Sequence, residues 1–290
     1  MDMKLETHIL NLSCKDQVGI VAKISSILAE SNCNIVESKQ FTDQKNGNFF
    51  IRQSFLLLND EMLSNVKNNL EILAKKLNAD FFLSEIECPM NTILLVSKFD
   101  HCLNDILFKV RNNSLNLNIK AVVSNHKTAE EMANFSNIPF HYLPIEKLNK
   151  LDQEKKLKEI INNNDVQLIV LARYMQVLSE EFTNYYAGKI INIHHSFLPS
   201  FKGARPYHQA FERGVKVIGA TAHYVTKDLD EGPIIEQDTQ EVNHEMMPSD
   251  LVLMGRDIEA RVLYRAIKAH SERRVFLNDN RTIVFRGQRI

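Results

Sequence analysis

Two segments of the sequence carry side chains that can act together on a carbonyl group, and the first is 191–203. Asn192 and His194 lie two residues apart in it, where an apolar run ends. Alternate residues of an extended chain point to the same side, so an amide donor and an imidazole can converge on one oxygen atom. Pro199 and Gly203 then predict a loop that walls a pocket.

The second segment, 220–234, supplies acidic groups. A strand-like run delivers His223, and a polar loop follows before a Gly-Pro pair turns the chain. Three acidic residues occupy that loop: Asp228, Asp230 and Glu231. A carboxylate from this loop, placed beside an imidazole of the first segment, would favour the charged imidazole and could accept a proton from water. The alternative is an ordinary solvated loop.

Short apolar runs separated by helical patterns place both segments in an α/β domain. The runs are nearly uninterrupted, which is typical of strands buried on both faces of a parallel sheet. They lie at 92–97, 119–124 and 166–172, with further strands at 189–193, 217–225 and 234–242. Helices are predicted between them at 101–111, 128–137 and 152–163. The pattern indicates a doubly wound, mostly parallel sheet that binds ligands at the carboxyl ends of its strands.

The preceding part of the chain has a different rhythm. Strand and helix patterns follow in the order βαββαβ, at 7–13, 19–31, 35–41, 49–57, 60–77 and around Phe81. This order predicts a ferredoxin-like unit, an antiparallel sheet with both helices on one face. A proline after an acidic stretch marks the boundary near Cys88, so we predict domains at 1–87 and 88–290.

Composition excludes several classes of protein. The 290 residues contain 35 Lys plus Arg and 36 Asp plus Glu, so no basic surface is available to bind nucleic acid or an anionic membrane. No apolar run approaches the roughly 20 residues that cross a bilayer, and no secretory signal is recognisable. We therefore expect a cytoplasmic protein. The four cysteines, Cys14, Cys33, Cys88 and Cys102, lack zinc-site spacing, and no metal is expected.

The motifs NIHHSFLPSFKG, GATAHYV and LDEGPII resemble the folate-dependent formyltransferases over roughly residues 91–270. In that family an Asn-x-His pair and an aspartate form the catalytic set, which the resemblance places at Asn192, His194 and Asp230. LARYMQVLS resembles the family's folate-lining segment, although by itself it would be interpreted as strand-end packing. The expected folate-binding residues are Met175, Gln176, Val177, Leu178, Val225, Thr226 and Asp228.

Residues 7–83 resemble an ACT domain, a regulatory βαββαβ module that often binds an amino acid. The resemblance implies an effector site with methionine or glycine as its ligand, formed by Asp16, Gly19, Asn32 and Asn34. A simple helix start at 16–19 is an equally good interpretation. Small sheets of this kind commonly pair, so a homo-oligomer is expected.

An ACT module before this domain resembles the hydrolytic members of the family, which cleave 10-formyltetrahydrofolate with water into formate and tetrahydrofolate. Glycinamide ribonucleotide formyltransferases instead use a glycine-rich loop that cradles the acceptor's phosphate. Here that loop, 97–102, contains no glycine, and Asp100 would repel phosphate. We therefore expect a hydrolase that supplies formate for purine and one-carbon metabolism, with the folate as substrate and no separate cofactor.

The expected mechanism uses donors fixed where negative charge develops on the formyl oxygen, each contributing on the order of 3 kcal/mol. Asn192 and protonated His194 are the donors, and Asp230 takes a proton from the attacking water. The leaving nitrogen receives a proton through His194 or through a water bound by Asp230; both routes stay open. Three supporting residues are expected: His195, Ser196 and His223.

Other functions remain as alternatives at this point. The chain could transfer the formyl group to an amine acceptor, or act as a non-catalytic sensor of folate or an amino acid. A transfer RNA formyltransferase would need a basic carboxyl-terminal domain, which the balanced charge does not suggest. The basic segment from Arg256 onward could attract a polyglutamylated folate, or be a solvated helix face or a subunit contact.

Overall fold

In the computed structural model the chain forms two compact units. The structure describes residues 7–57, 62–85, 88–144, 150–198 and 206–287. The first unit comprises Met1–Cys88 with Glu272–Asn278 and Phe285–Ile290, and the second comprises Pro89–Ser271 with Asp279–Val284. The domains predicted from the sequence, 1–87 and 88–290, differ from these units at the carboxyl end.

The first unit has the expected βαββαβ order. Its elements are β1 (Thr7–Lys15), α1 (Ile20–Glu30), β2 (Cys33–Asp43), β3 (Asn48–Leu57), α2 (Leu63–Leu77) and β4 (Asp80–Glu85). The strands form an antiparallel sheet in the order β2-β3-β1-β4. The ferredoxin-like prediction is confirmed.

Helical and strand periodicity explain the core of this unit. Apolar residues of α1 recur with helical spacing at Ile20, Ile24 and Leu28, all of which are buried. They pack in one cluster with Leu10 and Leu12, which alternate along β1, and with the apolar face of α2. Burial of this cluster fixes the register of β1, because a slip by one residue would move its apolar side chains to the other face of the sheet.

The second unit is built on seven strands. Its first half contains β5 (Met90–Val96), α3 (His101–Arg111), β6 (Leu117–Ser124), α4 (Glu130–Phe135), β7 (Phe140–Tyr142) and α5 (Lys150–Asn163). Its second half contains β8 (Leu168–Leu171), α6 (Glu180–Tyr185), β9 (Ile190–His194), α7 (Pro206–Glu212), β10 (Val217–Tyr224), β11 (Ile234–Glu241) and α8 (Pro248–Ser271). Two short strands end the chain, β12 (Val275–Asn278) in the first unit and β13 (Arg281–Val284) in the second.

The sheet order, β11-β10-β9-β8-β5-β6-β7, determines where a ligand can bind. Strands β5 to β9 pair in parallel, whereas β10 and β11 pair antiparallel at one edge. The chain leaves β5 toward β6 on one side and returns to β8 on the other, so a topological switch point lies between β5 and β8. Crevices at the carboxyl ends of such strands are the usual ligand sites of doubly wound sheets.

The doubly wound, mostly parallel prediction is therefore confirmed, and burial explains it. Every residue of β8 is buried, as are Ile93–Val96 of β5. None of the helices in the described part of the chain is long and apolar enough to span a membrane.

Candidate active site

Strands β9 and β10 bring Asn192, His194 and His223 to one face of the sheet. The antiparallel register sets His223 opposite Asn192, and Thr221 opposite His194. Because side chains alternate along a strand, all four point to the same side. The Asn-x-His spacing therefore places Asn192 and His194 on the same side, as expected. The register of β9 and β10 places His223 beside them.

The loop between β10 and β11 brings Asp230 to the same place. Asp230 has a left-handed backbone, φ 57°, which Asp and Asn tolerate better than most residues. Gly232 lets this loop pack against β10, since a Cβ there would lie 1.7 Å from the carbonyl oxygen of Tyr224. The Gly-Pro pair thus positions the carboxylate as well as turning the chain.

The three predicted catalytic residues meet in this structure. Asp230 Oδ2 lies 3.2 Å from His194 Nδ1, and Asp230 Oδ1 lies 3.6 Å from His223 Nε2. Asn192 Nδ2 lies 3.3 Å from His223 Nε2. The Nδ1–H of His223 donates to the carbonyl of Tyr224 at 2.9 Å, so Nε2 is free to accept from the amide of Asn192. His223 is thus closer to Asn192 than to Asp230, which we expected it to orient.

Charge in the site is concentrated on Asp230. Burial raises the pKa of its carboxyl, but the hydrogen bond and charge interaction with His194 oppose burial, and that pKa lies well below its usual range. The carboxylate is therefore ionised throughout the neutral range. His194 Nε2 is buried and has no hydrogen-bond partner among the described residues. A buried unpaired nitrogen opposite the carboxylate contact is suited to bind a substrate oxygen.

The other predicted supporting residues lie next to this group. The ring of His195 stacks on that of His194, with centroids 4.9 Å apart. Ser196 is buried, and its carbonyl accepts a hydrogen bond from Thr221 Oγ1 at 3.0 Å. Its own hydroxyl has no partner within the described ranges. The loop predicted from Pro199 and Gly203 lies outside the described residues.

A buried network beside His195 escaped the sequence analysis. Arg173 Nη1 donates to His195 Nδ1 at 2.7 Å, and Arg173 Nε lies 3.3 Å from Glu259 Oε2. Burial, followed by the charges of Arg173 and His194, lowers the pKa of His195 to about 4. These contacts join residues that are far apart in the sequence: Arg173 follows β8, His195 follows β9, and Glu259 lies on α8. No local sequence motif predicts them.

Glu259 is the centre of that network. It is 1% exposed, accepts from Tyr207 OH at 2.7 Å and lies 2.8 Å from His101 Nε2. Burial raises the pKa of its carboxyl, but the contacts with His101, Arg173 and Tyr207 lower this pKa by more than burial raises it. The net shift of the pKa is therefore downward. His101, Cys102 and Glu259 are the one group of described residues with a metal-ligating geometry. Because the carboxylate already has these partners, the group suits a buried hydrogen-bond network better than a cation.

Three contacts fix the predicted folate segment, 171–179. Met175 N donates to Ser97 Oγ at 3.0 Å, and Gln153 Nε2 donates to Tyr174 OH at 3.1 Å. Glu154 accepts from both the amide and the hydroxyl of Ser179, at 2.7 and 2.5 Å. The sequence analysis missed the two residues of α5 that make these contacts.

The predicted folate-binding residues themselves are mostly accessible. Met175 and Val177 are 54% and 55% exposed, which is unusual for large apolar side chains at the ends of buried strands. The remaining members are partly buried or exposed: Gln176, Leu178, Val225, Thr226 and Asp228. Val225 and Leu178 also pack against the core of the second unit, so part of the structural-packing interpretation holds.

The predicted effector residues fall into two pairs. Asp16 and Gly19 precede α1, where Asp16 Oδ2 accepts from Thr42 Oγ1 at 3.0 Å. Asn32 and Asn34 follow the same helix. An 11-residue helix is about 16 Å long at 1.5 Å per residue, so the two pairs lie at opposite ends of it. One amino acid cannot contact both pairs within a single chain.

The fold and the site define a class, the formyl-transferring enzymes with an appended ACT module. The family described as Formyl transferase matches residues 90–267, and the ACT domain matches residues 8–75. The formyltetrahydrofolate deformylase of Corynebacterium sp. (strain P-1) is 45% identical over 280 residues, 96% of this chain and 98% of that protein. The chain belongs to the formyltetrahydrofolate deformylase family.

Solved structures give the same result. The crystal structure of formyltetrahydrofolate deformylase from Burkholderia mallei has a TM-score of 0.94 and 42% identity, covering 97% of this chain and all of that one. A glycinamide ribonucleotide transformylase from Symbiobacterium toebii has a TM-score of 0.64 and 27% identity. The matched region covers 95% of the transformylase chain but only 68% of this chain. The likeness to the deformylase thus extends over both units.

Proposed function

We propose that the protein hydrolyses 10-formyltetrahydrofolate to formate and tetrahydrofolate. The observation that carries this proposal is the contact of 3.2 Å between Asp230 Oδ2 and His194 Nδ1, with the opposite nitrogen of His194 buried and unpaired in the described structure. Near full-length similarity to formyltetrahydrofolate deformylases supports the same reaction. The formate released would enter purine and one-carbon metabolism.

The geometry suggests how each side chain acts. Water attacks the formyl carbon while Asp230, an ionised carboxylate, takes one of its protons. Negative charge moves to the formyl oxygen, where Asn192 Nδ2–H and His194 Nε2–H donate to it. The C–N bond then breaks, its electron pair stays on nitrogen, and that nitrogen receives a proton through His194 or through a water at Asp230. Formate and tetrahydrofolate leave, and no redox partner is required.

Preformed orientation is what the protein adds to this chemistry. His223 accepts from one N–H of Asn192, which leaves the second N–H for the substrate oxygen. The Asp230 contact places the proton of His194 on Nδ1, so a second proton on Nε2 makes the ring a cationic donor. Both donors therefore lie on one face of the sheet before the substrate arrives, which reduces the reorganisation needed in the transition state.

The folate is proposed to lie along the exposed apolar segment at Met175–Leu178 and the loop at Val225, Thr226 and Asp228. We propose that it is the substrate and that the reaction needs no separate cofactor. The exposure of Met175 and Val177 supports this placement, because a pterin ring needs apolar surfaces to stack against.

A direct assay tests the reaction. Purified protein is incubated with 10-formyltetrahydrofolate in plain buffer, and formate and tetrahydrofolate are followed. Equal amounts of both products are expected without any acceptor. Products that appear only after addition of glycinamide ribonucleotide would assign the protein as a transferase, and no turnover in either case would favour a sensor. Transfer is disfavoured by the loop at 97–102, which contains no glycine to approach a phosphate.

Regulation by methionine or glycine at the ACT module is part of the proposal, as are self-association and a cytoplasmic location. Four free cysteines fit a reducing compartment. Because Asp16 and Asn32 lie at opposite ends of α1, Asp16 alone is the sharper target. Hydrolysis is measured against each amino acid in wild type and in Asp16→Ala. A response that is identical in both proteins would remove Asp16 from the effector site.

A further inference from the structure

The network around Glu259 ends at an imidazole beside the catalytic one. Glu259 lies on α8, and Tyr207, from α7, packs on the turn before it, since a Cβ at Gly255 would lie 2.1 Å from the Tyr207 ring. The carboxylate contacts His101, Tyr207 and Arg173, and Arg173 contacts His195. Buried charges are kept in proteins only when they are paired and hydrogen-bonded, as this one is. Because Glu259 contacts Arg173 and Arg173 contacts His195, the network helps to hold the His195 ring in position.

Arg173 has a backbone that an arginine rarely adopts. It follows β8 at the switch point of the sheet with φ 65°, in the left-handed region. Its carbonyl accepts from Ser97 N at 3.2 Å, which joins the ends of β5 and β8. Such a conformation is unfavourable for a residue with a long side chain and persists where the surroundings impose it. Here the guanidinium hydrogen-bonds to His195 through Nη1 and pairs with Glu259 at 3.3 Å through Nε, which makes no hydrogen bond among the described residues.

The contact with Arg173 determines which ring nitrogen of His195 carries the proton. A guanidinium has only donors and stays charged, so the ring nitrogen that it contacts at 2.7 Å must present a lone pair. His195 then carries its proton on Nε2. Four charged or titratable groups act on it: Arg173 after β8, His194 on β9, Glu259 on α8 and Asp230 in the β10–β11 loop. Burial and the two cationic neighbours together favour the neutral ring.

We propose that Arg173 is a positioning residue for hydrolysis: paired with Glu259, it holds His195 protonated on Nε2 and stacked on His194, and its charge acts together with burial to keep that ring neutral. His194 is then the ring of this pair that carries positive charge beside Asp230. A second imidazolium at 195, with centroids 4.9 Å apart, would repel the charge on His194 that binds the formyl oxygen. The inference rests on the proposed hydrolysis and adds to it the group that protects the charge state of His194.

The first test needs no activity and no variant. Long-range ¹H–¹⁵N spectra of the imidazole rings are recorded on the full-length protein between pH 5 and 8, with His195→Gln used to assign the signals. His195 is expected to be the neutral Nε2–H tautomer throughout that range. A His195 that titrates near its ordinary pKa of about 6.5, or that carries its proton on Nδ1, overturns the proposal.

The second test follows hydrolysis of 10-formyltetrahydrofolate against pH in Arg173→Gln. Without the guanidinium, one of the two charges that lower the pKa of His195 is lost, so this pKa rises and more of the ring is charged at pH 5.5, although burial and His194 still lower it. The activity of the variant relative to wild type is therefore expected to be several-fold lower at pH 5.5 than at pH 8. Arg265→Gln, an exposed arginine on the same helix as Glu259, is the matched control and should show no such change.

A double variant separates positioning from general damage. In a His195→Gln background the added Arg173→Gln change should produce no new acid limb, because no titrating ring remains at 195. An acid limb of the same size in both backgrounds overturns the proposal, as does an equal loss of activity at both pH values. Should wild type release no formate at all, the proposed hydrolysis fails, while the spectra still decide the state of His195.

Discussion

At the scale of single residues, Asp230 is the group on which the chemistry depends. Changing Asp230 to Asn removes the proton acceptor but keeps the size of the side chain. Turnover is expected to fall by about 100- to 10,000-fold, the usual range for a lost general base. Folate affinity should change little, because the carboxylate is proposed to contact the water and His194 rather than the pterin. Initial rates and equilibrium binding of tetrahydrofolate measure the two effects.

The matched control for that variant lies in the same loop. Glu231→Gln removes an exposed acidic group next to Asp230 without touching the contact with His194. It should retain wild-type turnover. Comparable losses in the two variants, or turnover that survives Asp230→Asn, would contradict the mechanism.

Asp230 also links stability to pH. Its pKa is depressed in the folded protein, where burial is opposed by the contact with His194. The unfolded chain titrates near 3.9, so the stabilisation is present above about pH 4 and is lost as the pH falls toward the folded value. The difference in free energy of unfolding between wild type and Asp230→Asn should therefore narrow from pH 5 to pH 3. Urea titrations at fixed pH measure it; a difference that widens toward acid would contradict the assigned direction.

The residues that could be predicted from sequence are those whose signal is local. Asn192 and His194 share one strand, so their types and spacing suffice, whereas the choice of Asp230 among the three acidic residues of its loop rested on the resemblance to formyltransferases. Arg173 and Glu259 gave no such signal, because an arginine after a strand and a glutamate within a helix are ordinary features. Only burial and proximity, which depend on the packing of α8 against the sheet, turn them into a network.

At the scale of elements, α5 and the end of β5 fix the proposed folate segment. Ser179 connects α5 to α6, since its amide and hydroxyl donate to Glu154 and its hydroxyl accepts from Phe182 N at the start of α6. Ser179→Ala should cost about 1–2 kcal/mol of stability through the lost cap. Because the segment only lines the proposed pocket, the Michaelis constant for the folate should rise several-fold while turnover stays nearly constant.

Thr183→Val is the control for that variant. Thr183 lies in α6 and its hydroxyl donates to the carbonyl of Glu180 at 3.0 Å, so the change disturbs the helix but not the contact with Glu154. It should leave the Michaelis constant unaltered. A purely catalytic loss in Ser179→Ala, with unchanged Michaelis constant, would place the folate elsewhere.

Element prediction succeeded where periodicity was long or strands were fully buried. The helices at 101–111 and 152–163 and the buried strands of both sheets were predicted close to their positions in the structure. The long helix α8 was given no range from the sequence, and the short elements β7, α6, α7, β12 and β13 were not predicted. Segments so short show less than two periods of any pattern, and tertiary contacts decide their conformation.

At the scale of the whole molecule, the end of the chain returns to the unit that begins it. Arg52 of β3 donates to the carbonyl of Glu272 at 3.2 and 3.1 Å, and Asn11 of β1 donates to that of Arg273. The sequence analysis assigned this basic segment to the second domain, as a possible folate-tail site or a solvated face. Composition could not show otherwise, because the contacts that place it join residues at opposite ends of the sequence.

Asn278 makes this return testable. It is 2% exposed; its Oδ1 accepts from the amides of Asn46 and Asn48, and its Nδ2 donates to Asp43 Oδ2 at 2.6 Å. Asn278→Ala removes all three bonds and one donor of a buried carboxylate, at an expected cost of about 2–4 kcal/mol. Amides of the turn at 43–48 should then exchange with solvent much faster, whereas Asn280→Ala, an exposed neighbour, should not alter them. Unchanged exchange in Asn278→Ala would mean that the first unit keeps this turn without the carboxyl-terminal segment. Accelerated exchange confined to the turn and its flanking strands, with wild-type rates in β8 and β9, would show that β12 stabilises the first unit specifically.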